Sequence, residues 1–175
     1  LQESGVFPDV LVCRTEYEIN DSIRRKLALF CNVQSDSVIQ SIDAKTIYDV
    51  PKLMKEEHLD KVVLKKLGLG HSGEADITNW EEFVYHLNNP KNTIDIALVG
   101  KYVELKDSYK SISESFVHAS SFSRCKVNLH LICSEKLDHT SASESLKHMD
   151  GVLVAPGFGP RGIEGKLLAV RYARE

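Results

Sequence analysis

No apolar run in this 175-residue sequence is long enough to span a bilayer, which excludes a membrane-spanning helix as the organising feature. Neither sign of charge is in large excess. Twenty-two Lys and Arg stand against 25 Asp and Glu, a net charge of -3. That balance leaves no basic stripe of the kind nucleic acid selects. The four cysteines, Cys13, Cys31, Cys125 and Cys133, lack CxxC or Cys/His spacing, which excludes a zinc site and a disulfide framework. They read as buried free thiols in a reducing compartment, with no metal ligands among them. The chain opens on Leu1 without a secretory leader, and "RYARE" closes it inside a helical pattern. The expectation is a piece of a longer protein.

What is present is strong patterning. "DVLVC" (9–13) and "SVIQSI" (37–42) read as buried strands. Between them Asp21 can cap a helix with Ile23, Leu27 and Phe30 on one stripe. Pro51 suits the start of a second helix, and Val62, Val63 and Leu67 line a third. "GLGHSGEAD" (68–76) reads as a loop. Thr78 and Glu81 have capping-box spacing ahead of Trp80, Phe83, Val84 and Leu87.

Beyond residue 92 the pattern becomes strand, helix, strand, helix, strand, helix. The strands are "TIDIALVG" (93–100), "VNLHLIC" (127–133) and "GVLVA" (151–155). Tyr109, Ile112, Phe116 and Val117 form the first helical face. Ser141 and Glu144 make a second capping-box spacing before Leu146 and Met149, and Ile163, Leu167 and Val170 start the last helix. This alternation predicts an α/β fold with a parallel sheet. The domain boundary falls near residues 68–92.

"APGFGPRG" (155–162) sits at the carboxyl end of the last strand, where open α/β sheets bind ligands. Gly157 and Gly159 permit positive φ and close approach of backbone to a ligand. Pro156 has no N–H, so Gly157 offers the first donor. Such an N–H can supply half of an oxyanion hole. A plain strand-to-helix turn accounts for the same glycines.

Several stretches, in order, resemble the CTP synthase family: "PDVLVCR" (8–14), "RRKLALFCNV" (24–33), "TIYDVP" (46–51), "ALVGKYVELKDSYKSI" (97–112) and "GFGPRGIEG" (157–165). The resemblance implies the end of a P-loop-type synthetase domain (1–67) and an interdomain linker with a helix (68–92). It further implies the first βα units of a class I glutamine amidotransferase domain (93–175). It implies amination of UTP to CTP with ATP, Mg²⁺ and ammonia from glutamine, under activation by GTP. The implied partners are UTP, CTP, ATP, GTP and glutamine, in a cytoplasmic homotetramer able to form filaments.

By the same resemblance Lys26 contacts the pyrimidine nucleotide, and Arg14, Asp43 and Ala44 belong to the ATP site. Ile42 stands where relatives carry lysine, so only a backbone role transfers there. Tyr102 and Lys110 belong to the coupling region near the ammonia passage, Tyr102 equally readable as structural. Gly157 meets glutamine and helps form the oxyanion hole. Pro156 replaces the first of a pair of glycines. Phe158, Arg161, Gly162 and Glu164 belong to the GTP-responsive segment, though Arg161 and Glu164 also read as a surface ion pair. Lys26 and Arg14 also read as solvated surface cations.

The family's nucleophile lies in a Gly-x-Cys-x-Gly elbow, and neither "SRCKV" nor "LICSE" has that form. No His-x-Glu pattern and no P-loop occurs either. The expectation is a segment inactive by itself. A non-catalytic nucleotide-binding or assembly module is the alternative. A different class I amidotransferase is disfavoured by "RRKLALFCNV" and "TIYDVP".

Overall fold

The computed structural model describes residues 2–70, 73–105 and 107–175. His71 and Ser72 of the expected loop, and Lys106 in the segment between Tyr102 and Lys110, lie outside the described residues. The chain divides into two compact units, residues 1–81 and 82–175. Among the described residues no helix is long and apolar enough to cross a membrane.

In the first unit β1 (Leu11–Thr15) and β2 (Val38–Ile42) pair in parallel, with Cys13 opposite Gln40. Parallel neighbours need a crossover, and α1 (Asp21–Cys31) supplies it. The cap of α1 is Asn20 rather than Asp21: Asn20 Oδ1 accepts from the Ile23 N–H at 3.0 Å. Its packed face is also not the expected Ile23–Leu27–Phe30 stripe. Ala28 is buried, Arg24, Leu27 and Cys31 are half-buried, and Ile23 and Phe30 are exposed. Arg24 turns that face inward because its guanidinium has partners there, Val38 O and Glu57.

α2 (Val50–Glu56) starts with Pro51 in its first turn, as expected. In α3 (Leu59–Lys66) Val62 alone of its expected face is buried, while Val63 and Leu67 are exposed. A two-turn helix presents little width to a core, and Val62 occupies it. α4 (Thr78–Asn88) opens without a Thr78–Glu81 box. Thr78 is its first residue, and Asp76 Oδ1 accepts from the Thr78 N–H at 2.9 Å.

The second unit is a three-stranded parallel sheet ordered β4–β3–β5, with β3 Asn92–Gly100, β4 Cys125–Cys133 and β5 Gly151–Val154. β3 is central, with Ile96 opposite both Leu129 and Gly151. α5 (Lys110–Ser123), α6 (His139–Leu146) and α7 (Ile163–Arg174) complete the βα alternation. A strand covered on both faces reads as a continuous apolar run. Ala97 and Val99 pack with Leu146 and Ala169 on one face, and Leu98 with Tyr109 and Ala155 on the other.

Two local expectations shift here. The capping box of α6 is Asp138–Ser141, one turn before Ser141–Glu144. Asp138 Oδ1 accepts from the Ser141 N–H at 2.8 Å, and Ser141 Oγ accepts from the Asp138 N–H at 2.8 Å. In α7 the buried positions are Gly165 and Ala169, while Ile163, Leu167 and Val170 are exposed. Small residues win that face because the backbones approach closely. A Cβ on Gly165 would stand 1.8 Å from the Ser134 carbonyl oxygen.

Candidate functional site

In the first unit a cleft of about 390 Å³ opens at the carboxyl ends of β1 and β2, lined by Arg14, Ile42, Asp43, Ala44, Thr46 and Ile47 among others. This is where a parallel sheet exposes its loop ends to ligands. The Asp43 N–H donates to Thr15 O at 3.0 Å, which ties the loop to the neighbouring strand. Arg14 Nε meets Asp43 Oδ1 at 2.9 Å, with the arginine side chain 85% exposed. A pair this exposed adds little stability; it leaves the guanidinium's remaining donors open to the cleft. The fold brings Arg14, Asp43 and Ala44 together. Lys26 is on α1, exposed, and does not line the cleft.

In the second unit β3 and β5 end side by side, and the Ala155 N–H donates to Val99 O at 2.9 Å. The turn from 155 to 162 follows directly. Gly159 and Gly162 use left-handed backbone, with φ of 81° and 73°. Gly157 is not among the residues of positive φ, so its lack of a side chain has another reason. A Cβ there would stand 3.1 Å from Lys101 Cε and 3.5 Å from Lys166 Nζ.

Those two lysines were not singled out in the sequence. Lys101 Nζ donates to Phe158 O, and Lys166 Nζ donates to Ala155 O at 2.8 Å. Lys101 is the residue after β3 and is only 7% exposed. Its burial is legible only once β3 is known to end at Gly100.

Phe158 is 99% exposed at the tip of the turn. Arg161 does not pair with Glu164. Its Nε lies 3.5 Å from Glu135 Oε1, and its guanidinium sits 5.3 Å from the centre of the Tyr102 ring. Lys101 Nζ lies 5.3 Å from the same ring, so Tyr102 is in contact range of both cations. Glu164 stands exposed in the first turn of α7, where a carboxylate complements the helix dipole. Gly162 caps α7, and a Cβ there would meet Ser134 Oγ at 2.4 Å. Tyr102 and Arg161 are therefore brought together. Lys110 stands apart from them in its contacts, paired with Glu114 at 2.6 Å one turn along α5. That hydrogen bond raises the Lys110 pKa above its ordinary value.

Tyr109 is the unforeseen support of this region. Its hydroxyl accepts from the N–H groups of Lys101 (3.1 Å) and Tyr102 (3.3 Å), just beyond β3. All four cysteines are free and half-buried rather than fully buried. Cys125 opens β4, and Cys133 ends it directly before a 3₁₀ turn at Ser134–Lys136. Burial pushes the Cys13 thiol pKa up, and nearby Cys31 adds to the rise.

Residues 1–69 match the family model for the CTP synthase N-terminus, and residues 104–175 match that for glutamine amidotransferase class-I. The CTP synthase of Flavobacterium psychrophilum is 62% identical over 175 residues, covering 100% of this chain and 33% of its own. That of Christiangramia forsetii is 57% identical over 100% of this chain and 32% of its own. The chain thus spans about a third of the length of these relatives. A solved structure, the glutaminase domain of Trypanosoma brucei CTPS with bound acivicin, is 34% identical over 46% of this chain and 32% of its own, with a TM-score of 0.43. Two family stretches in succession, on a chain aligned throughout with its relatives, settle the assignment: the chain belongs to the CTP synthase family.

Proposed function

We propose that this chain is the part of a CTP synthase that joins one side of its nucleotide site to one side of its glutamine site. The whole enzyme aminates UTP to CTP, using ATP and ammonia from glutamine, under activation by GTP. The observation that carries the reading is the Gly157 turn: it lies at the carboxyl end of β5, beside the end of β3, within the amidotransferase match.

In this reading the Gly157 N–H donates to the oxyanion formed when the glutamine amide is attacked. A backbone donor is already fixed when the charge develops, so it needs no reorganisation at that moment. The nucleophile comes from outside this chain, which alone hydrolyses no glutamine. Arg14, Asp43 and Ala44 receive ATP in the first cleft, and Lys26 meets the pyrimidine nucleotide, UTP or the product CTP. Phe158 offers a ring for a purine to stack on, and Arg161 offers a guanidinium to GTP, with Gly162 and Glu164 shaping the segment. Tyr102 and Lys110 serve the coupling of the two reactions. Mg²⁺ accompanies the ATP chemistry in this reading, held through the nucleotide's phosphates. We place the enzyme in the cytoplasm as a homotetramer able to stack into filaments.

The test is CTP formation from UTP and ATP by the full-length gene product. Glutamine is expected to support it, and Arg161→Ala to abolish GTP stimulation while ammonia-dependent synthesis persists. Loss of the ammonia-dependent reaction as well would remove the GTP assignment. Steady glutamine hydrolysis by the 175-residue chain alone would overturn the missing nucleophile. A second reading, a non-catalytic nucleotide-binding module, draws on one fact: Arg14, Asp43 and Ala44 line a cleft formed entirely within the first unit. ATP binding without any glutamine-dependent CTP formation would favour it.

A further inference from the structure

The turn after β5 is held at both ends by ammonium groups. Lys166 Nζ bonds Ala155 O at 2.8 Å, and Lys101 Nζ bonds Phe158 O. The peptide groups joining 155 to 156 and 158 to 159 are therefore pinned. Between them lie two unpinned peptide groups, which carry the N–H of Gly157 and of Phe158. Among the described residues neither N–H has an acceptor. Pro156 removes a third degree of freedom, since its ring holds φ near about −65°.

A plain strand-to-helix turn does not require this arrangement. Burying an ammonium costs stability unless it is paired and well bonded. Lys101 is nearly buried, and among the described residues neither lysine forms an ion pair. The absent side chain of Gly157 makes room for the Lys101 stem and the Lys166 ammonium group rather than for unusual backbone.

We infer that Lys101 and Lys166 are positioning residues that hold the Gly157 N–H in one direction. What that donor serves rests on the reading of the turn as a glutamine site; the clamp itself does not. Neither lysine touches the reacting atoms in this account. Each acts through the carbonyl it holds.

The experiment is backbone and side-chain NMR of the labelled 175-residue chain. Through-hydrogen-bond couplings are expected from Lys101 Nζ to the Phe158 carbonyl carbon and from Lys166 Nζ to that of Ala155. The Gly157 amide is expected to show an order parameter of about 0.85, the value of rigid backbone, falling below about 0.6 in Lys166→Met and Lys101→Met. Lys166→Arg, which keeps the donors, restores it. Lys136→Met, which removes only a surface ion pair with Glu104, leaves it unchanged. A merely structural lysine would lower the melting temperature without this selective loss of order or its rescue by arginine. Unchanged Gly157 order in both methionine variants overturns the inference, as does failure of arginine to restore what methionine removes. Intact couplings and order, beside a full-length product that neither binds nor hydrolyses glutamine, would sink the glutamine reading and leave the clamp standing.

Discussion

Arg24 and Glu57 together close the outer edge of β2. Arg24 Nη1 donates to Val38 O, while Glu57 Oε2 accepts from the Gln40 N–H at 3.0 Å. The two side chains are joined to each other at 3.1 Å. In a parallel ladder residues two apart point their backbone groups the same way, so Val38 O and Gln40 N mark one edge, opposite β1. An ion pair thus stands where another strand would pair, satisfying the same donor and acceptor.

Arg24→Met is expected to cost about 2–3 kcal/mol, since it strips charged hydrogen bonds from a half-buried carboxylate and an edge carbonyl. The midpoint of urea unfolding of the first unit reads this. A change under about 0.5 kcal/mol would mean that water replaces the guanidinium without loss.

The same carboxylate sets a pH dependence. Burial pushes the Glu57 pKa up, but the Gln40 N–H and Arg24 outweigh it and hold it below the ordinary 4.5. A depressed carboxylate contributes stability that is present above that ordinary value and lost as pH falls through the folded one. Stability measured below pH 4.5 should therefore fall less steeply with falling pH in Glu57→Gln than in the unsubstituted chain.

Glycines in the turn region should differ sharply in tolerance. Gly165→Ala places a methyl 1.8 Å from a backbone oxygen, which cannot swing aside. The expected loss is about 3 kcal/mol or more. Gly157→Ala meets the flexible ends of Lys101 at 3.1 Å and Lys166 at 3.5 Å, without left-handed backbone, so its cost stays under about 1 kcal/mol. Thermal melts of the two variants settle the order.

Tyr109→Phe removes the acceptor of two backbone N–H groups while keeping the ring. It should cost about 1–2 kcal/mol and speed amide exchange at Lys101 and Tyr102 above all. Gly100→Ala should be worse, because a Cβ there would meet the same hydroxyl at 2.2 Å.

Asp95 provides a local check on the sheet. His130 Nε2 at 2.7 Å and then Asn128 Nδ2 at 3.1 Å hold its carboxyl below the ordinary 3.8. In a carbon-detected NMR titration His130→Gln should move the Asp95 midpoint upward. No movement would mean that Asn128 alone sets it.

Strand and helix order, the parallel sheet and the glycine turn were legible because each rests on local pattern: apolar runs for strands, 3.6-residue spacing for helices, Gly and Pro for the turn. Burial was less so, since β1, expected to be a buried strand, leaves Val12 exposed. Faces and caps were less so. A sequence offers several nearby capping residues, and Asn20 against Asp21, or Asp138 against Ser141, is decided by where the chain enters the helix. Apolar spacing picked Ile163, Leu167 and Val170, whereas α7 packs through Gly165 and Ala169, because close approach to Ser134 excludes larger side chains.

The amino-acid sequence by itself determined the family, the order of the elements and the place of the Gly157 turn, since these depend on residue identity along the chain. Only the tertiary structure decided which charges meet. Lys101 and Phe158 are 57 positions apart, and Arg24 and Glu57 are 33 apart. A lysine stem or a guanidinium reads alike in any solvated helix; its role appears when the fold brings a carbonyl or carboxylate within bonding distance and excludes the water that would otherwise satisfy both.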